Sequence, residues 1–318
     1  MATRQTMSGK CPACGTAGGT PVLEGTDHRE QVGGWFSVVE CPSCRLARTE
    51  PVPVDPGEWY PQGYQQHDAP DSVTASVVRR AISRSARARR GRVAAATGFV
   101  VPDAAYIWPI ANGARVLDVG AGNGTAVAAL RDAGLDAWGA EPSEAGFSAA
   151  RSRGVQTVIH GTLEDALERE DIPSSGWDLV RLYQVLEHVP DPVATLSVVR
   201  SLLAPGGRVV IGVPNFDSLA RRMLGSAWDG LELPRHLTHF TPATLRAVLG
   251  RAGLRARRVS TVALFGILPG SIDAATAGRR RQRGWGETLP VRGLSYPVEL
   301  AYAALGRGDG IMAEAVAA

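Results

Sequence analysis

The chain has 318 residues, 44% of them hydrophobic, and a net charge of +3. That is enough apolar sequence for one large or two modest domains, so the composition reads as globular rather than disordered or fibrous. No stretch approaches the 18 or more apolar residues of a membrane helix and the first 30 residues lack a signal-like run, so no membrane span and a cytoplasmic location are expected. Lys10 is the sole lysine among 34 basic residues, a bias that fits a GC-rich genome. Two arginine clusters, Arg79 to Arg92 and Arg279 to Arg283, read either as solvated helix faces or as contacts to phosphate.

All four cysteines fall near the N-terminus, as Cys11-Pro-Ala-Cys14 and Cys41-Pro-Ser-Cys44, with 26 residues between the pairs. Each C-P-x-C knuckle aims two thiolates at one point, and two knuckles close a tetrathiolate shell with no open position. A structural zinc is therefore expected, with rubredoxin-type iron, disulfides and free thiols as the alternatives. Residues 1–50 form this ribbon, and the proline-rich segment from Pro51 to Pro56 reads as a stiff exit within a linker spanning 51–97. Trp59, Tyr60 and Tyr64 follow, either packing the ribbon on what comes next or folding over a ligand. Residues 72–97 read as helical.

Arg115 to Thr125 reads RVLDVGAGNGT, a buried-strand pattern running into Gly120, Gly122 and Gly124 and then a helix start. A dinucleotide fingerprint needs G-x-G-x-x-G. Here the spacing is G-x-G-x-G with Asp118 two residues earlier, which favours S-adenosylmethionine over NAD. Glu141 lies 21 residues beyond Gly120 at the end of an apolar segment, where a second strand ends and a carboxylate can accept both ribose hydroxyls. Strands are expected near 115–120, 136–141, 155–160, 177–183 and 208–213, with helices between them and a parallel sheet as the result.

These motifs, with WDLVRLYQVLEHVPDP (177–192) and LLAPGGRVVIGVPN (202–215), resemble the class I S-adenosylmethionine-dependent methyltransferases over roughly residues 95 to 265. The resemblance implies an α/β fold: a doubly wound, mostly parallel seven-stranded Rossmann-like sheet over 98–318, preceded by the zinc ribbon. The last ten or so residues would supply its final strand. It also implies S-adenosylmethionine as cofactor, held by Asp118, Gly120, Ala121, Gly122, Glu141, Pro142, Leu163, Glu164 and Gln184. Glu164 and Asp165 read equally as first-turn acids of a helix.

Beyond the fifth strand, two insertions are expected at 215–235 and 266–305, the second to cover the acceptor or touch a membrane surface. A helix over Ala243 to Ala252 is expected between them, with Thr241 as its N-cap. The family's topology would carry His236 and His239 over the acceptor pocket, with His239 expected as general base and His236 second; both read alternatively as loop-fixing residues, and His188 as structural. Related quinone-precursor O-methyltransferases place Glu-x-x-Glu-His where this chain has Gln184-Val-Leu-Glu187-His188. With glutamine in the first position, no catalytic metal is expected.

The resemblance thus implies a methyltransferase of a small-molecule acceptor, O- or C-methylating in secondary or glycan metabolism. A ribosomal RNA base methyltransferase is the alternative, which keeps nucleic acid open as a partner. A non-catalytic binding module is the third reading.

Overall fold

A computed structural model describes residues 9–31, 33–52, 59–60, 104–107, 109–264, 266–279 and 288–318. The expected helix over 72–97, the cluster Arg79 to Arg92, Tyr64, and Arg280, Arg281 and Arg283 lie outside the described residues.

Three short strands come first: β1 (Thr20–Gly25), β2 (Phe36–Glu40) and β3 (Ala47–Glu50). A short helix, α1 (Ala104–Ile107), leads into the alternating part of the chain. There follow β4 (Arg115–Val119), α2 (Thr125–Asp132), β5 (Asp136–Glu141), α3 (Glu144–Ser152), β6 (Val158–His160), α4 (Leu163–Glu168) and β7 (Trp177–Tyr183). Then come α5 (Pro192–Leu202), β8 (Leu203–Pro214), α6 (Leu219–Leu224), β9 (Thr238–His239) and α7 (Pro242–Arg251). The chain closes with β10 (Leu254–Val262), α8 (Ile267–Ala277), α9 (Leu289–Ala304) and β11 (Gly310–Ala317). Among the described residues, no helix is long and apolar enough to cross a membrane.

Seven strands form one sheet in the order β10-β11-β8-β7-β4-β5-β6. The pairs β4–β5, β4–β7, β5–β6 and β7–β8 are parallel, and β11 runs antiparallel to both β8 and β10. The order reverses between β4 and β7, so the carboxyl ends of these strands border the crevice in which an open α/β sheet takes its ligand. Two apolar clusters cover the sheet, one around Leu117, Leu182 and Ile211, the other around Val116, Val127 and Leu179.

Strand β10 was not among the expected strands. It is an edge strand, its residues mostly half-exposed or exposed and interrupted by a bulge between Ala256 and Arg258, so Arg255, Arg257 and Arg258 blur the alternation that marks a buried strand. Helix α7 begins where expected: Thr241 caps it in a reciprocal box with Thr244. Across the 215–235 insertion the chain forms α6 and two single 3₁₀ turns.

The second sheet is small and antiparallel, β1-β2-β3-β9. Its fourth strand comes from the loop after β8, pairing Ala47 with His239 and Arg48 with Thr238. Buried ion pairs fasten the same two regions: Arg235 to Asp27 at 2.7 Å with both side chains fully buried, and Arg29 to Glu232 and Asp229 at 2.7 and 3.0 Å. Trp59 is buried beside Phe36, ring centroids 5.4 Å apart and edge to face, in a cluster with Leu231 and Leu233. Its role is therefore packing.

Glu299 of α9 is fully buried, and its carboxyl is pushed up to about 7 by burial, with Asp309 adding to the effect. A carboxyl raised in the folded state stabilises the fold in its neutral form below an ordinary value near 4.5, and that contribution is lost as pH rises toward 7. Glu299→Gln, which keeps an acceptor for the Leu268 amide, is expected to raise unfolding free energy at pH 8 by roughly 2 kcal/mol and little at pH 4. Chemical denaturation at the two pH values checks this; an equal effect at both would contradict it.

Candidate active site

The glycine loop joins the buried strand β4 to α2. Gly120, Gly122 and Gly124 all take positive φ (70°, 53° and 73°), which glycine adopts without strain. At Gly120 space decides as well, because a Cβ there would lie 2.4 Å from Val185 Cγ2. The Gly120 and Ala121 amides donate to the Ala140 carbonyl at 2.8 and 3.0 Å, holding the loop against the end of β5.

Glu141 ends β5, 4% exposed. One carboxylate oxygen accepts the Gly122 amide at 2.7 Å, and the other accepts the Ser143 amide and hydroxyl at 2.9 and 2.6 Å. Glu141 thus sits against the glycine loop. Asp118, buried on β4, pairs with Arg181 of the adjacent β7. Asp118, Gly120, Ala121, Gly122, Glu141 and the exposed Pro142 are gathered at one corner of the sheet. Leu163 is buried at the start of α4 and Glu164 is exposed beside it. Asp165 closes a capping box with Thr162, the helix-start role.

Past β7, Gln184 takes a positive φ of 57°, its amide donates to Gly212 O at 2.7 Å, and its buried side-chain Nε2 has no protein partner. Glu187 is 1% exposed, and neither of its carboxylate oxygens has a partner. Burial raises its carboxyl well above the ordinary carboxylate range. Donor atoms of Glu187, His188 and His236 lie within 4.8 Å of one another. The two rings meet edge to face at 4.7 Å.

His188 Nδ1 is 3.1 Å from the Arg235 carbonyl and 2.9 Å from the Tyr60 hydroxyl. A carbonyl only accepts, so the Arg235 contact calls for a proton on Nδ1, while the Tyr60 hydroxyl can give or accept there. His236 likewise donates from Nδ1 to Gly230 O at 3.0 Å. Burial, reinforced by His188, keeps His236 well below the usual histidine range and hence neutral, although Glu232 lies 3.8 Å from its Nε2. Glu232 is buried as well, yet the guanidinium groups of Arg29 and Arg235 hold its carboxyl low.

His239 departs from the role expected of it. It lies in β9, 4% exposed, tilted against Phe216 at 5.2 Å. The Thr49 hydroxyl donates to the His236 carbonyl at 2.6 Å, so at 2.9 Å His239 Nε2 must donate to Thr49 Oγ1. Burial, with Arg221 nearby, lowers its pKa to about 3. A group so weakly basic, with that nitrogen already protonated and bonded, is poorly suited to taking a proton from an acceptor.

The four cysteines are brought together. Cys11 Sγ is 3.5 Å from Cys44 Sγ and Cys14 Sγ is 3.5 Å from Cys41 Sγ, all four sulfurs within 4.8 Å of one another and none in a disulfide. A tetrahedral thiolate site with bonds of about 2.3 Å has edges near 3.8 Å, so the cluster is at metal-binding distance. A cleft of about 590 Å³ between Leu203–Gly207 and the β10 and β11 strands opens at the other end of the seven-stranded sheet.

Several residues of the site escaped sequence reading: Asp27, Arg29, Thr49 and Arg235. Each acts across 190 to 208 residues of chain, and short-range spacing carries no signal of such pairings.

A parallel sheet closed by one antiparallel strand, with a glycine loop after its central strand and a carboxylate ending the next, defines a Rossmann-like methyltransferase fold. Residues 86–259 match the family model described as a methyltransferase domain, more than half of the chain. The chain belongs to that family. It is similar to the ubiquinone biosynthesis O-methyltransferase of Xylella fastidiosa, 34% identical over 161 residues, covering 47% of this chain and 64% of that protein. The protein of the same name from Cereibacter sphaeroides is 32% identical over 151 residues, covering 45% and 60%. The match thus spans less than two thirds of the length of these relatives. A SAM-dependent methyltransferase from Archaeoglobus fulgidus superposes with a TM-score of 0.47 at 20% identity, over 68% of this chain and 91% of that one.

Proposed function

We propose that the chain is an S-adenosylmethionine-dependent O-methyltransferase whose acceptor is a small molecule carrying a hydroxyl. Glu187 is the observation that carries the reading: a fully buried carboxyl without a partner, facing the imidazoles of His188 and His236 just past β7. Buried polar groups are otherwise almost always bonded, so an orphan beside the glycine-loop corner argues for a missing ligand. The names of the curated relatives support oxygen as the methylated atom.

S-adenosylmethionine supplies the methyl group. Glu141 and the glycine loop would hold the cofactor, Gln184 would offer it the unpartnered Nε2, and the acceptor hydroxyl would dock against Glu187. The hydroxyl proton passes to an imidazole Nε2, His188 being suited because Nδ1 is already committed to Arg235 O. One carboxylate and two imidazoles also form a donor set fit for a divalent cation, which would acidify the acceptor hydroxyl.

The test supplies labelled S-adenosylmethionine and a panel of catechols, phenols, sugars and ribosomal RNA. Label is expected on a small-molecule oxygen, and Glu187→Ala is expected to cut turnover by about 10²–10⁴-fold with cofactor affinity nearly unchanged. Transfer to RNA alone, or full turnover in the variant, would defeat the proposal.

For the cysteine cluster we propose one structural zinc held by Cys11, Cys14, Cys41 and Cys44. Metal analysis of protein purified without chelator is expected to give about one equivalent of zinc per chain. Iron with rubredoxin-like absorption would overturn it.

A further inference from the structure

The loop from Asp229 to His239 brings His236 to the site, yet much of what holds this loop comes from the N-terminal sixty residues. Thr49, fully buried on β3, donates its hydroxyl to the His236 carbonyl at 2.6 Å, and its amide donates to Leu237 O at 3.0 Å. Arg29 and Asp27 anchor Asp229, Glu232 and Arg235 through buried ion pairs. On the other side of the cluster, the Tyr60 hydroxyl lies 2.9 Å from His188 Nδ1. The methyltransferase sheet contributes the Glu187 carbonyl, which accepts from the Leu237 and Thr238 amides at 2.8 and 3.1 Å.

We propose that Thr49 and Tyr60 are positioning residues of the acceptor site: Thr49 fixes the backbone that carries His236, Tyr60 fixes the ring of His188, and the cysteine ribbon thereby forms one wall of that site. The inference rests on the functional reading above for the identity of the site and on geometry for the rest. A ring bonded at Nδ1 has its rotation set, so its Nε2 is aimed by the partner at Nδ1. A backbone carbonyl bonded from behind sets where its own side chain begins. Both devices reach a site only when the supporting residues are themselves immobile, and Thr49 is held within a sheet.

The experiment uses full-length, metal-loaded protein with ¹⁵N-labelled histidine. Tyr60→Phe is expected to shift the ring nitrogen signals of His188 while leaving S-adenosylhomocysteine affinity within twofold. Thr49→Val removes two buried bonds, the one the hydroxyl gives to His236 O and the one it accepts from His239 Nε2, so amide exchange across 229–239 is expected to quicken about tenfold or more, with 115–141 unchanged. Thr49→Ser, which restores the hydroxyl, is expected to return exchange to the parent rate. Unmoved His188 signals in Tyr60→Phe, or exchange in Thr49→Val that is unchanged or quickens equally across 115–141, would overturn the proposal. These readouts need no methyl acceptor. A protein that shows both changes yet methylates no hydroxyl would sink the functional reading alone.

Discussion

Asp27→Ala is expected to destabilise the protein by about 3–5 kcal/mol, the size found when one partner of a buried ion pair is removed and the other is left uncompensated. Arg235 donates to both carboxylate oxygens of Asp27, at 2.8 and 2.7 Å, with no solvent contact for either side chain. Glu232 at 3.2 Å keeps part of the compensation, which places the effect toward the lower end. Asp27→Asn, retaining one acceptor, is expected to cost less. Urea denaturation followed by fluorescence measures both, and a loss below about 1 kcal/mol for the alanine variant would show that the pair adds little to its surroundings.

Glu141→Ala is expected to weaken S-adenosylmethionine binding by about 1.5–3 kcal/mol, the range for hydrogen bonds to a charged group. In the described structure its carboxylate accepts from Gly122, Ser143 N and Ser143 Oγ, so the side chain fixes the glycine loop as well as offering oxygens to a ribose. The alanine variant loses both. Glu141→Asp, one methylene shorter, is expected to be milder. Titration calorimetry decides the matter: unchanged affinity in the alanine variant would remove Glu141 from the cofactor site.

The corner around Gly120 and Glu141 was legible because its signals are local: a buried strand, three glycines and a carboxylate within 27 residues. The four-cysteine cluster was legible for the same reason. What stayed hidden was long-range. Strand β9 has two residues and exists because β3 pairs with it, so no window of sequence marks it. Of the two roles open to His239, the bond to Thr49 is the loop-fixing one, and sequence could not choose because topology places a loop near a site without saying which of its faces looks inward. Glu187 belonged to a recognisable motif, but its lack of any partner is a property of the packed interior.

The four-stranded sheet also imposes an order of events on synthesis. Thr49 waits for a partner 190 residues further along the chain. At roughly 5–20 residues per second, the outer edge of β3 stays open for about ten to forty seconds after it leaves the ribosome. An open strand edge recruits other strands, so this interval is when the nascent chain is most exposed to wrong pairing. Early capture of metal by the knuckles would order the hairpin, but only the arrival of Thr238 and His239 covers its edge. A chain halted before residue 238 would therefore keep a sticky N-terminal edge rather than a finished ribbon.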